Sequence, residues 1–252
     1  MLKIAEAAAR EAGSFLLHKL GQGKIEQQKS SRDDLLDVDT AAEDILLKRL
    51  RQETPTFGTL SEEAGLAGNQ KQHWIIDPLD GSANFQHGSP AFAIAIALVI
   101  ENTTCGALIY VPAANELFTA IRHQGAYLNG KRIGVSAIAT LAEAMVHVGD
   151  LMKEGKPAIT HTRTQHLAKL LMQARRVRMI GTAATDLAYL SCGRADVLVN
   201  AAKNPWDVEA GKLLLLEAGG TVTTQRGSDD EILAIYSNGR LHDAVERLLI
   251  PE

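Results

Sequence analysis

Helical periodicity opens the chain. Over residues 3–20, Ile4, Ala8, Phe15 and Leu16 fall near one face, with Lys and Glu opposite. A second helix is predicted over about 41–53, with Ala42, Ile45, Leu46 and Leu50 on its apolar side. Thr40 and Glu43 form a capping-box pair at its start. The intervening QGKIEQQKSSRDDLLD is polar and reads as a loop. From residue 74 the period changes. WIID, AFAIAIALVI (91–100), GALIYVP (106–112) and ELFTAI (116–121) read as strands. The alternation of small and branched residues in 91–100 predicts a strand covered on both faces. Asn129-Gly130 marks a turn, and residues 141–175 return to helix-like composition.

A second αβ pattern follows. TDLAYLSCG predicts a helix stopped at Gly193, ADVLVN a strand, and WDVEAGKLLLLEAGG a helix ended by Gly219-Gly220. TVTT and ILAIYSN read as closing strands and LHDAVERLL as a terminal helix. There is no repeat and no clear linker. The expectation is a mixed α/β chain in two halves, residues 1–145 and 146–252, forming one compact unit with a soft boundary in 135–155.

Composition narrows the function classes. With 46% hydrophobic and 22% charged residues, the 252-residue chain buries a sizeable core. A net charge of -4 argues against a nucleic-acid footprint, which needs a basic face. Cys105 and Cys192 form no CxxC and read as small hydrophobes in a reducing compartment. Glu6, Arg10 and Glu11 interrupt the N-terminal apolar pattern, so it is not read as a signal peptide or membrane span. The cytoplasm is the expected location.

Acidic residues beside structural punctuation carry the candidate chemistry: Asp39, Glu62 in LSEEAG, Asp77 and Asp80 in WIIDPLDGSANF, and Asp207 in WDVEAG. Singly, Asp39 and Asp207 read as helix-cap or first-turn acids, and DPLDG as a turn. Together they are costly. Two like charges 4 Å apart repel by roughly 4 kcal/mol at an effective dielectric of 20, unless cations intervene. Oxygen donors select hard ions, hence Mg²⁺, which retains waters and takes substrate phosphate oxygens. Pro78 stiffens the bend between the two aspartates, the Leu79 carbonyl is a further ligand candidate, and Gly81-Ser82 offers N–H groups for a phosphate.

WIIDPLDGSANF, NPWDVEAGKLLLLEAGG, LSEEAG, DVDTAAED and GTAATDLAYLSCGRAD are similar to signature segments of the inositol monophosphatase family, and the likeness runs from residue 1 to about 240 in the same order along the chain. The resemblance implies the lithium-sensitive, Mg²⁺-dependent phosphatase superfamily and a layered αβαβα sandwich. It implies that Glu62, Asp77 and the Leu79 carbonyl hold one metal, and that Asp77, Asp80 and Asp207 hold a second. Asp39 with Ser82 would orient the attacking water, in part through a third, weaker Mg²⁺ near Glu62. Asp80, Gly81, Ser82, Gly181, Thr182, Asn200 and Asp207 would lie along the phosphate or the substrate. The implied reaction is hydrolysis of a small phosphate monoester, such as myo-inositol monophosphate, by metal-activated water. Homodimers are common in the family.

Several positions depart from the pattern. Ser82 stands for a usual Thr, Ser61 for a Gly, Leu36 for a Thr, and Asn200 for a glutamate that contacts inositol hydroxyls. Asn hydrogen-bonds a hydroxyl without bringing charge. Fructose 1,6-bisphosphate, histidinol phosphate and nucleotide phosphates therefore stay open as substrates, as does a non-catalytic regulatory protein on the same fold.

Overall fold

The computed structural model describes residues 1–28, 34–201, 204–226 and 232–250. Helices α1 (Leu2–Lys19) and α2 (Asp37–Glu53) form the first layer. Between them, β1 (Ile25–Gln28) and β2 (Asp34–Leu36) pair antiparallel where the sequence reads as a loop; residues 29–33 of that segment lie outside the described residues. The second layer is an eight-stranded sheet. Its strands are β3 (Gly58–Ser61), β4 (Gly65–Ala67), β5 (Gln72–Asp80), β6 (Ala93–Ile100), β7 (Thr103–Val111), β8 (Glu116–Ile121), β9 (Gly125–Leu128) and β10 (Lys131–Ile133). They lie in the order β10-β9-β8-β7-β6-β5-β3-β4. Among the described strand pairs of this sheet, only β3 and β5 run parallel. A short helix, α3 (Ser82–Gln86), follows β5 directly.

A five-stranded sheet is built from β11 (Met145–Val148), β12 (Arg176–Arg178), β13 (Val197–Asn200), β14 (Thr221–Arg226) and β15 (Ile232–Ser237), in the order β12-β11-β13-β15-β14. Helices α4 (Pro157–Gln173) and α7 (His242–Leu249) cover its outer face. Helices α5 (Ala183–Ser191) and α6 (Pro205–Glu217) lie between the two sheets and pack on both. The result is the expected αβαβα sandwich.

Side-chain size sets the layer spacing. Along β6, Ile94, Ile96 and Leu98 point into the core beneath α1 and α2. Ala93, Ala95, Ala97 and Val99 point the other way, toward α5 and α6. The small face admits α6 close to the sheet, and α5 in turn presses on α6: a Cβ at Gly211 would collide with Leu187. At Asn129-Gly130 both φ angles are positive, 48° and 77°. Leu128 pairs with Lys131 across them, the two-residue hairpin such a turn favours.

Three further local expectations need correction. Helix α2 starts at Asp37, not near 41, so Asp39 sits inside its first turn. The 141–175 segment holds a strand, β11, before α4 begins. A four-residue apolar run such as MVHV has no period of its own to separate strand from helix. The third correction, the capping box, belongs with the site below. No helix among the described residues is long and apolar enough to cross a membrane.

Candidate active site

In a regular strand, residues three apart face opposite sides, which would send Asp77 and Asp80 to different layers. The pairing of β5 with β6 slips between them: Asp77 opposes Ala95, and Asp80 opposes Ala93. Three steps on β5 match two on β6, so one extra residue is bulged out at Pro78-Leu79. Pro78 has no N–H to forfeit there. The bulge turns both carboxylates toward one cavity. Asp77 Oδ1 accepts the Leu79 N–H at 3.0 Å and closes the loop over the proline. Gly81 then turns the chain into α3 at φ 96°. A Cβ there would stand 3.0 Å from the Ala91 carbonyl oxygen, so glycine is required.

Glu62 arrives from β3, which ends beside β5. Its N–H donates to the Ile76 carbonyl at 3.2 Å, one residue before Asp77. The loop that carries it is held from α2. Glu43 Oε1 accepts a short hydrogen bond from the Ser61 hydroxyl, and the N–H groups of Glu63 and Ala64 at 3.1 and 3.2 Å. Glu43 is therefore not the capping partner of Thr40, whose hydroxyl donates to Glu26 at 3.2 Å. Asp39 makes the cap instead: its Oδ2 accepts the Leu36 N–H at 2.7 Å. A buried loop with three donors to satisfy outcompetes a local cap for the longer carboxylate.

Thr182 is the N-cap of α5, its Oγ1 accepting the Thr185 N–H at 3.3 Å. Its hydroxyl donates to Asp80 Oδ2 at 2.6 Å, and the Ala184 N–H donates to the same oxygen at 2.6 Å. The Asn84 side-chain amide ties α3 to this segment through the carbonyls of Ala91 and Ile180, each at 2.9 Å. On α6, Asn204 is the N-cap and Asp207 lies in the first turn.

These elements enclose a cavity of about 300 Å³. Among the described residues, six carboxylates line it: Glu62, Asp77, Asp80, Asp150, Asp186 and Asp207. Leu79, Gly81, Ser82, Gly181, Thr182 and Asn200 line it too. Asp39 does not; the structure leaves it buried in the first turn of α2, at 3% exposure. The starts of α3, α5 and α6 all meet this wall, so partial positive charge faces the carboxylates.

Electrostatics show how crowded the carboxylates are. Burial pushes Asp77 well above the usual carboxylate range, and the charges of Glu62, Asp80 and Asp207 push it further against the Leu79 hydrogen bond. Asp80 rises to about 6: burial lifts it, the bonds from Thr182 and Ala184 oppose, and Asp186 and Glu62 add to the rise. No Lys, Arg or His is among the described residues lining the cavity. An excess of oxygen donors without a protein cation fits a hard divalent ion. Among the described residues, no three acids are gathered closely enough to form a ready-made metal cage.

One pair was not legible as a site. His147 on β11 and Asp186 on α5 meet at 2.7 Å, both buried. Burial raises the Asp186 carboxyl, and His147 pulls it back. His147→Ala strips a buried carboxyl of this bond and is expected to cost about 2–3 kcal/mol in urea unfolding. A loss under about 0.5 kcal/mol, the range of ordinary surface changes, would show that the pair contributes little.

Comparison with known proteins bears on all of this geometry. The Nus factor SuhB of Xylella fastidiosa is 43% identical over 232 residues, covering 90% of this chain and 83% of the relative. Inositol monophosphatase 2 of Solanum lycopersicum is 35% identical over 251 residues, covering 96% and 94%. The crystal structure of extragenic suppressor protein suhB from Bartonella henselae superposes with a TM-score of 0.91 at 34% identity, over 99% of this chain and 98% of that one. The model of the inositol monophosphatase family matches residues 1–249, and this chain belongs to that family.

Proposed function

We propose that the chain is a Mg²⁺-dependent phosphomonoesterase of the cytoplasm, hydrolysing a small phosphate ester such as myo-inositol monophosphate. One observation carries the reading: a carboxylate-lined wall and three helix starts share one cavity. The carboxylates suit hard cations, and the helix starts suit a phosphate. Members of the family are in general Mg²⁺-dependent.

In this reading Glu62, Asp77 and the Leu79 carbonyl hold one ion, and Asp77, Asp80 and Asp207 a second. When bound, such ions lower the pKa of water and offset charge on the transferring phosphoryl group. The chain's own part is positioning. Thr182 and Ala184 fix one oxygen of Asp80. Gly81 lets the backbone approach the phosphate, and the Ser82 hydroxyl orients the attacking water. Gly181 and Thr182 border the ester. Assembly as a homodimer and inhibition by Li⁺ belong to the same reading.

Phosphate release from a panel of esters tests it: myo-inositol 1-phosphate, fructose 1,6-bisphosphate, histidinol phosphate and adenosine bisphosphate. Turnover that needs Mg²⁺ and stops with chelator is the expected result. A second reading is a partner-binding role without turnover, because several relatives bear the name Nus factor SuhB. A folded, Mg²⁺-loaded sample that releases phosphate from no ester would put that reading first.

A further inference from the structure

The acid cluster and the helix starts account for most of the cavity wall. What remains is Gly149, Asp150, Asp186 and Asn200, and Asp186 is engaged by His147. An ester whose phosphate lies at the helix starts has its alcohol half facing this remaining wall, which includes Asp150 and Asn200.

The local backbone builds this wall deliberately. The Gly149 N–H donates to the Val199 carbonyl at 2.9 Å, which lays the turn after β11 against the end of β13. A Cβ on Gly149 would collide with the Asn200 carboxamide, so the turn rests directly on that side chain. Asn200 Oδ1 accepts the Ala201 N–H at 2.7 Å, which fixes the orientation of the amide, and Nδ2 is its donor end. Asp150 Oδ1 accepts the Met152 N–H at 3.1 Å, an Asx turn that holds an otherwise exposed carboxylate in place. An acceptor and a donor thus stand side by side.

A second, smaller cavity lies behind. Asp150 and Asn200 are the two residues that line both cavities. From the far side α4 sends in Arg163, 8% exposed, among Leu167, Leu170 and Leu233. A guanidinium in such an apolar seat needs an anionic or strongly polar neighbour. Asp150 is the carboxylate bordering the same space.

We propose that Asp150 is a specificity-determining residue that accepts a hydroxyl of the substrate's alcohol half, with Asn200 as the neighbouring donor, and that Arg163 is a positioning residue acting through Asp150. The inference rests on the phosphatase reading above. A hydroxylated, uncharged alcohol matches this wall.

The test compares kcat/KM of the Mg²⁺-loaded full chain on myo-inositol 1-phosphate and on 4-nitrophenyl phosphate, whose alcohol half has no hydroxyl. Asp150→Asn keeps the Met152 acceptor and removes the charge. It is expected to lower the polyol-to-aryl ratio about tenfold, mostly through KM, as loss of one hydrogen bond to a charged acceptor does. Arg163→Gln should lower the same ratio several-fold and Arg163→Lys should restore part of it. The Asp150→Asn/Arg163→Gln double variant should fall no further than Asp150→Asn alone. Thermal unfolding of each variant separates a folding defect from a change in preference. If wild type turns over both esters and Asp150→Asn leaves the ratio within twofold, the assignment of Asp150 is wrong. If the two substitutions multiply independently, Arg163 does not act through Asp150. If wild type turns over neither ester, the phosphatase reading falls, and this inference falls with it.

Discussion

Asp80→Asn is expected to reduce kcat/KM by at least about 10²-fold, the scale of losing one preorganised electrostatic contact, while the metal-free protein becomes slightly more stable. The two effects share a cause. Asp80 is lifted to about 6 in the folded chain, against an unfolded value near 4. A raised folded value means that the proton is held more tightly folded than unfolded. The stability it contributes is present below the unfolded pKa and is lost as pH rises toward 6. A shift of two units is worth up to about 3 kcal/mol. Because Asp80 is half-buried and faces the cavity, about half of that is expected after screening. An asparagine removes the charge and still offers one oxygen to the Thr182 hydroxyl and the Ala184 N–H, which now converge on Oδ2. Thermal unfolding at pH 8 without metal should therefore show the variant about 1 kcal/mol more stable than wild type. Mg²⁺ should stabilise wild type and do much less for the variant. Normal turnover by Asp80→Asn at saturating Mg²⁺ would remove Asp80 from the proposed site.

The sequence made most of this cavity legible because its motifs are local. Asp77, Asp80, Gly81 and Ser82 lie within six residues of one another, and Asp207 stands at a helix start that its neighbours announce. Long periodic elements were legible for the same reason: α1, β6, α6 and α7 are specified by their own spacing. What the sequence hides is pairing at a distance. The bulge at Pro78-Leu79 exists only relative to β6. His147 and Asp186 are 39 residues apart, and only Asp186 sits in a motif, with nothing local to pair it with His147. Thr182 reaches Asp80 across 102 residues, so its candidacy rested on family likeness rather than on contact. Asp39 was marked by its place at the start of an apolar helix, and in the structure its Oδ2 accepts the Leu36 N–H and caps that helix.

Glu43 is the clearest case of a residue whose partners could not be read locally, and its removal is expected to be the most damaging to the fold. It is 4% exposed, and one carboxylate oxygen takes the Ser61 hydroxyl and the N–H groups of Glu63 and Ala64. Glu43→Ala leaves these donors without that acceptor and opens a void beneath the loop. Hydrogen bonds to a charged acceptor are worth about 1.5–3 kcal/mol each, and water entering the gap recovers part of the loss. A net cost of about 3 kcal/mol follows, or about 6–12 °C in Tm for a chain of this size. Glu43→Gln keeps an acceptor oxygen and should cost about 1 kcal/mol. Because the loop carries Glu62, the damage should reach the proposed metal site. Supporting residues of this kind typically change metal affinity 10–100-fold, so half-maximal activity in Glu43→Gln should require roughly tenfold more Mg²⁺. A Mg²⁺ dependence equal to wild type in a folded Glu43→Gln protein would mean that the loop holds Glu62 in place without Glu43's charge. A Tm for Glu43→Ala within a degree of wild type would mean that the three hydrogen bonds contribute nothing net. The link from α2 to the cavity would then be one of proximity only.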